Sequence, residues 1–528
     1  MAKLLKSTLY VAPDDPQLFK FLSTFTQGLN TRNKDENLAD DMLTIAINTN
    51  LLVGGQVSKV HGTTTVGDDL GAKAICAMGN FRISGGADQF LVAENTTLHK
   101  WSGSGNFATI KDDFAASTTW GITIGAESGE GDVAFARSSG NWFRFNAAGT
   151  AQDLGDTNTS PPKSNISDFA YGRWLIADGD LVYFSDAFSD DYSDAFDRIT
   201  NAFRFTSGGK ITAILPSRIN GANFLTVSKE NSLWLLGINN TTFSSSVVEP
   251  LDLTKGCKGR RALYQIGDDV WYLSSDGVRS IVKSQLDKAR GGSSNPLTFL
   301  IKDTIDTINW NYAQNSVMTY YDGMCLLAVP TGSSTVNNTV LIGYPQYIIT
   351  LGKDTYPSWS VVEGVNVACW EKFFVGGEER LYYGEATADG LVYRFWDDTV
   401  SNFNGVAINF DMATKAEDFG YPQQYKYGGE IEIRTDTGSG TVSVYADIDD
   451  GGWSALGSFN VAGSGLILPI DSLPFNLDSA TILANKFHLD SLGRFRKIKI
   501  RLVCNETGSD IKIFSIALAS YLDQYEGE

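Results

Sequence analysis

The chain has 528 residues, more than one ordinary hydrophobic core can organise, so two or three domains are expected. A formal net charge of −19 argues against a protein that binds nucleic acid tightly, because such proteins normally carry a basic stripe. No apolar run reaches the roughly 18 residues of a membrane-spanning helix, and the five widely spaced cysteines favour buried thiols made in a reducing cytoplasm over disulfides or a cysteine-based zinc site.

The first predicted domain, residues 1–69, begins with an arm that extends to about residue 33. The arm contains a short apolar patch that would dock it against a neighbouring surface. We interpret this patch as a candidate interface; it consists of Leu18, Phe19, Phe21 and Leu22.

An amphipathic helix and a first strand are predicted to follow the arm. Asp35 and Glu36 would lie in the first turn of the helix, where the helix dipole favours negative charge. Leu38, Met42 and Ile45 recur at helical spacing and would form one apolar face that ends near Asn48.

Residues 70–404 repeat one short sequence pattern, in which an apolar run is followed by a tight acidic-glycine turn and an aromatic-rich run. One copy spans 174–184 and turns at Asp178-Gly179, a strong hairpin signal because the turn requires positive φ. Further copies lie at 270–281 and 381–395, and looser copies lie at 90–101 and 133–145. Hairpins spread over hundreds of residues predict an all-β fold, a β-propeller of roughly six to eight blades.

The strands predicted in residues 405–528 are longer and alternate more cleanly. Residues 496–502 alternate basic with apolar side chains. This pattern is expected of a strand with one solvent-exposed face in an antiparallel, jelly-roll-like β-sandwich. This domain is locally basic in an acidic chain, so the strand is either an ordinary exposed face or an interface with an acidic neighbouring subunit. The interface candidates are Arg494, Arg496, Lys497, Lys499 and Arg501.

No motif in the sequence predicts catalysis. The three histidines are far apart, and neither His-Glu-x-x-His nor Gly-x-Ser-x-Gly occurs, so no catalytic residue and no cofactor is predicted. A glycosidase pair of carboxylates stays open as an alternative, because acidic residues are numerous.

The acidic turn at 447–452 is the densest candidate for a metal site. Asp447, Asp449 and Asp450 give this turn the acidic density of a calcium loop, but it lacks the distal glutamate of an EF-hand. A hairpin turn at the surface is the favoured interpretation.

Three stretches together resemble virion structural proteins of tailed bacteriophages. The first runs from Gly28 through the predicted helix to Asn48 and continues at residues 54–62, and it is similar to the opening of tail hub and nozzle proteins. The second comprises 356–360, 380–384 and 390–395, and it resembles their last propeller segment. The third comprises 420–427, the turn before Trp453 and 493–498, and it resembles their C-terminal domain.

The resemblance implies a β-propeller subunit of a phage tail, most similar to the nozzle or hub ring of short-tailed phages. Such a protein would be made in the host cytoplasm and located in the virion. It implies a homohexamer below the portal and adaptor proteins that carries the DNA channel and offers surfaces to tail fibres. An acidic bore would let DNA pass without tight binding, and Lys497, Lys499 and Arg501 would face subunits or the exterior.

Other assignments also fit the sequence. A glycan-binding or glycan-degrading propeller is the alternative from another functional class, and another tail or connector protein is the alternative within the virion. A shallow aromatic platform near Trp453 would favour the glycan-binding alternative.

Overall fold

The computed structural model describes residues 16–523, apart from 53–54, 130, 148, 150, 240–241, 290–294, 437 and 462–482. Strands make up most of its regular structure, which confirms the all-β prediction. The chain divides into two compact units. The propeller unit comprises residues 63–342 and 364–397, and the second unit comprises the described residues of 16–62, 343–363 and 398–523.

Six sheets form the blades of the propeller, numbered here in order along the chain from residue 75. Blade 1 has strands Ile75–Phe81, Gln89–Glu94, Thr97–Trp101 and Ala108–Lys111; blade 2 has Gly121–Glu127, Gly131–Arg137, Phe143–Asn146 and Ala151–Asp153; blade 3 has Ile166–Ala170, Arg173–Asp178, Leu181–Phe184 and Ala202–Arg204; blade 4 has Ile211–Ile219, Ala222–Lys229, Leu233–Gly237 and Val247–Asp252; blade 5 has Leu263–Ile266, Asp269–Ser274 and Gly277–Ser280; blade 6 has Val367–Val375, Glu378–Glu385, Val392–Asp397 and Gly62–Val66.

A further strand pair, Val317–Tyr321 and Met324–Val329, fills the place between blades 5 and 6. Its first strand contacts the first strands of both blades, and the ring of first strands closes where blade 6 meets blade 1. The first strand of each sheet therefore lies at the propeller axis, and the prediction of a propeller with six to eight blades is confirmed.

The predicted hairpins all form. Asp178 pairs with Leu181 across the turn in blade 3, and Gly179 has a φ of +63°. The other four copies also form antiparallel hairpins.

Aromatic and aliphatic side chains of neighbouring blades pack against each other to form the core. Phe135 of blade 2 stacks on Trp174 of blade 3, with ring centroids 4.0 Å apart, and both side chains are fully buried. Similar clusters join blades 1 and 2, blades 3 and 4, and blades 6 and 1. This packing explains why the aromatic-rich runs repeat along the sequence.

A helix stands beside blade 5, the blade with three strands. Helix Ile281–Ala289 contacts the second and third strands of that blade. Asp269 anchors its start, because the carboxylate accepts hydrogen bonds from the Val282 backbone N–H (3.0 Å) and the Ser280 hydroxyl (2.5 Å). The remaining helical segments are short: Asp35–Asn37, Phe243–Ser245, Phe299–Ile301, Lys302–Asp306, Ala313–Asn315 and Asp490–Leu492.

The second unit is built from strands that are distant in sequence. One sheet contains Gln17–Ser23, Thr49–Asn50, Val57–Lys59, Lys426–Thr435, Leu483–His488, Arg494–Phe495 and Lys512–Leu522. The other strands are Gly28–Leu29, Met42–Ile47, residues from 343 onward of Thr339–Leu351, Asp354–Glu363, Phe410–Thr414, Thr441–Ile448, Trp453–Asn460 and Ile498–Cys504, with a small hairpin at Asn402–Phe403 and Val406–Ala407.

The predicted amphipathic helix at 35–48 is wrong. Only Asp35–Asn37 is helical, in a single 3₁₀ turn, and Met42–Ile47 is a strand. This strand pairs in parallel with Gly28–Leu29 and antiparallel with Phe410–Thr414. Pairing on both sides, together with β-branched side chains, overrides the helical spacing of its apolar residues.

The predicted boundaries at residues 69 and 404 also differ from the structure. Residues 405–523 do not form a body by themselves, because they share their sheets with Gln17–Ser23, Met42–Ile47 and Val57–Lys59. The propeller, in turn, takes its last outer strand from Gly62–Val66. These pairings join residues hundreds of positions apart, so no local signal marks them. Residues 1–15 of the predicted arm lie outside the described part of the chain.

Candidate functional site

Two adjacent arginines, Arg260 and Arg261, lie at the propeller axis on a turn that precedes blade 5. The backbone of this turn is held from several sides. The Cys257 carbonyl accepts the Thr212 hydroxyl at 2.8 Å, and the Ala262 carbonyl accepts the Leu273 N–H at 2.9 Å. Gly259 is required there, because a Cβ atom would lie 2.7 Å from the Ser316 carbonyl oxygen. The fold therefore fixes where both guanidinium groups are placed.

Both arginines reach across the axis to backbone carbonyls of other blades. Arg260 donates to the carbonyl oxygens of Asn165 (3.0 Å) and Trp120 (2.5 Å). Arg261 donates to those of Cys76 (3.3 Å) and Trp120 (3.2 Å). In the described part of the chain, neither guanidinium forms an ion pair with a carboxylate.

Two cavities follow each other along the first strands of the blades, and both arginines line both cavities. The larger one, about 490 Å³, is lined by early residues of these strands such as Cys76 and Val367. The smaller one, about 230 Å³, is lined by residues further along, such as Met78 and Glu371. The arginines therefore lie where the two cavities meet.

The electrostatics of this site are positive in an acidic protein. Burial, followed by the charge of Arg261, lowers the pKa of Arg260 well below its usual value. Burial raises the pKa of Glu371 to about 7, against the opposing effects of the Lys372 backbone N–H and Arg261. Glu371 is the one carboxylate among the described residues that line the two cavities.

Two buried polar atoms beside the larger cavity have no hydrogen-bond partner among the described residues: the Ser316 hydroxyl and the Asn337 side-chain oxygen. Both residues line that cavity and are at most 2% exposed. The Asn337 amide nitrogen is fixed by the carbonyl oxygens of Asn315 and Val367, each at 2.7 Å. Two polar atoms with unused hydrogen-bonding capacity are thus buried next to this cavity.

The arginine pair was not identified from the sequence. A usable signal was present, because Lys255, Lys258, Arg260 and Arg261 form a basic run without acidic residues in a chain of net charge −19. What the sequence did not reveal is that this run lies at the axis.

The basic strand Ile498–Cys504 and the residues before it are neutralised within the chain. Lys499 contacts Asp35 (2.9 Å) and Asp447 (3.0 Å). Arg501 binds both carboxylate oxygens of Asp411, at 2.8 and 2.5 Å. Burial by itself would lower the pKa of Lys499. The hydrogen bonds to Asp35 and Asp447 outweigh this effect and raise the pKa above its usual value.

The other predicted basic residues also find partners. Lys497 contacts Glu36 at 2.5 Å and Asp450 at 2.6 Å. Arg494 contacts Asp523 at 2.8 Å, and the Arg496 guanidinium lies 4.6 Å from the centre of the Tyr425 ring. An interface through these residues stays a prediction.

The candidate calcium ligands are engaged by the same cations. Asp447 and Asp450 pair with Lys499, and Asp449 accepts the backbone N–H groups of Arg496 and Lys497. No group of three or more potential metal ligands occurs in the part of the chain that the structure describes. The acidic turn is thus the hairpin turn between Thr441–Ile448 and Trp453–Asn460.

Trp453, the predicted centre of an aromatic platform, is contacted by cations. Lys499 and Arg501 each lie 5.6 Å from the centre of its ring. These contacts occupy ring surface that a sugar would need.

The apolar patch of the arm lies on the strand Gln17–Ser23, which pairs with Lys512–Leu522. Leu22 is fully buried and Leu18 is partly buried, whereas Phe19 and Phe21 are 70% and 52% exposed. The strand therefore presents two aromatic side chains to solvent.

The comparisons with known proteins are uninformative about function. No known family and no curated protein matches the chain. The AfRom2 CNH domain aligns with a TM-score of 0.34 and 8% identity over 64% of this chain and 100% of that chain. The extracellular domain of a hybrid two-component system from B. thetaiotaomicron aligns with a TM-score of 0.39 and 12% identity over 81% of this chain and 60% of that chain. Exo-β-1,3-galactanase from Phanerochaete chrysosporium aligns with a TM-score of 0.26 and 9% identity over 87% and 99% of the two chains. None of the described helices is long and apolar enough to cross a membrane.

Proposed function

We propose that this protein is a structural subunit of a bacteriophage tail, a nozzle or hub ring that extends the DNA channel below the portal and adaptor and offers surfaces to tail fibres. The proposal rests on the resemblance of three sequence stretches to such proteins. In this proposal the chain is not an enzyme, and it works as one of six copies in a closed ring.

The observation that carries the proposal is where those stretches lie. The first, the third and residues 356–360 of the second all belong to the second unit, although they are far apart in sequence. Residues that resemble one family thus come together in one body, as expected if the family shares that body.

Gly28 and Asn48, both in the first stretch, contact distant segments of the same body. Asn48 adopts a φ of +53°, donates from its side chain to the Asn409 carbonyl (2.9 Å) and accepts the Glu363 N–H (3.0 Å). Gly28 has a φ of +62° and lies so close to residue 359 that a Cβ atom would be 2.6 Å from the Trp359 carbonyl oxygen. Both roles are architectural, which suits a structural protein.

The axial cavities favour this function over a glycosidase. Glycoside hydrolysis generally uses a pair of carboxylic residues that flank the bond to be cleaved. The described lining of the cavities supplies one carboxylate, Glu371, next to two arginines. Assay of the purified protein on host surface polysaccharide tests this point, and we expect no depolymerisation.

The decisive experiment is a cryo-electron microscopy map of a virion from the phage whose genome encodes this chain. We expect six copies of the propeller and second unit in a ring below the adaptor, with acidic side chains toward the bore. A map in which the chain is absent from the tail would refute the proposal. A bore dominated by lysine and arginine would refute the low-friction channel alone.

A further inference from the structure

The geometry points to a binding site for a tetrahedral oxyanion of the phosphate type at the propeller axis, held by Arg260 and Arg261. This site is independent of the tail function proposed above. The ligand would occupy the larger axial cavity beside the two guanidinium groups.

Both arginines keep unused hydrogen-bond donors. Each guanidinium has five N–H donors in a rigid fork, and each uses one donor on each of two backbone carbonyls. Both side chains line the cavities, and neither has a nitrogen that is both buried and unpartnered. The Nε–H donor of each arginine, which has no partner among these hydrogen bonds, is therefore accessible.

The positive charge of the arginine pair also favours an anionic ligand. Two positive charges lie side by side with backbone carbonyls as their hydrogen-bond partners. Phosphate carries about −1.5 to −2 charges near pH 7, so it would neutralise the arginine pair. Arginine forks also match the geometry of phosphate oxygens better than lysine does.

Ser316 offers a further donor beside the arginines. Its hydroxyl is buried and has no hydrogen-bond partner among the described residues, and the residue lines the larger cavity. Rotation of this short side chain would let the hydroxyl donate to a phosphate oxygen.

The turn that bears the two arginines is held rigidly. The turn that bears the arginines is fixed by Thr212, Leu273 and the close approach of Gly259 to Ser316. A site whose donors are already in place loses little conformational entropy when the ligand binds. The arrangement is therefore that of a preformed binding site and not of a chance cluster of charges.

The test is isothermal titration calorimetry of the full chain with inorganic phosphate, sulfate, acetate and adenosine monophosphate at constant ionic strength. We expect one site per chain for phosphate and sulfate, and weaker binding of acetate. Tighter binding of adenosine monophosphate would identify a phosphate ester as the ligand, whereas binding of the free ion alone would identify inorganic phosphate. No heat of binding at about 10 mM phosphate, or acetate binding as tight as phosphate, would overturn the proposal.

The variant Arg260→Lys/Arg261→Lys keeps both charges and removes the forks, so we expect about tenfold or greater loss of phosphate affinity. The matched control is Arg204→Lys, an exposed arginine of blade 3, which should bind as the wild type does. Unchanged affinity in the double variant would refute the site. If that variant does not fold, a map of the wild-type protein in phosphate decides, and absence of density between the two guanidinium groups overturns the proposal.

Discussion

Gly28 holds a position where any side chain would meet backbone. Its φ of +62° costs other residues about 1–2 kcal/mol, and a Cβ atom would also clash with the Trp359 carbonyl oxygen. We expect Gly28→Ala to lower the free energy of unfolding of the second unit by about 2–4 kcal/mol, measured by urea denaturation. Gly352 has a φ of +63° but no atom within 4 Å of its Cβ position, so Gly352→Ala should cost only about 1 kcal/mol. Equal losses would show that the close contact does not matter.

Carboxylates from other segments of the second unit pair with the basic side chains of the strand Ile498–Cys504 and stabilise it. Lys499→Met would leave the buried carboxylate of Asp447 without its partner, so we expect a loss of about 2–4 kcal/mol in the free energy of unfolding. Adding Asp447→Asn should recover part of that loss, because it removes the uncompensated charge. Lys486, an exposed lysine on another strand of the unit, pairs with Glu430, and Lys486→Met should change stability by less than about 1 kcal/mol. Equal effects of the two lysine substitutions would contradict this account.

The whole molecule is expected to assemble through the arm, because Phe19 and Phe21 are exposed on a strand whose other face is anchored by buried Leu22. We expect Phe19→Ser/Phe21→Ser to abolish the proposed six-fold ring in native mass spectrometry while the monomer keeps its thermal unfolding temperature. Ile199→Ser, which removes an 80% exposed aliphatic side chain from the propeller unit, should leave the ring intact. A ring that persists in the double variant would exclude this strand as the contact. Deletion of residues 1–33 would be harder to interpret, because it also removes two strands of the fold, Gln17–Ser23 and Gly28–Leu29.

The sequence predicted what depends on neighbouring residues and missed what depends on distant ones. The turn at Asp178-Gly179 was identified because its conformation is a property of two adjacent residues. The strand Met42–Ile47 was assigned to a helix because its partner, Phe410–Thr414, lies hundreds of residues away. The arginine site was missed for the same reason, since Arg261 binds the carbonyl of a residue 185 positions earlier.

The closure of the propeller by Gly62–Val66 has a consequence for the order of events during synthesis. That strand leaves the ribosome long before its neighbour Val392–Asp397. The delay between synthesis of Gln17–Ser23 and synthesis of its partner Lys512–Leu522 is longer. Until then both present unpaired edges, which are prone to pair with other chains, and such distant pairings are reached slowly. A prematurely terminated chain would keep these edges open, so translation to the last strand is what converts an aggregation-prone nascent chain into a closed one.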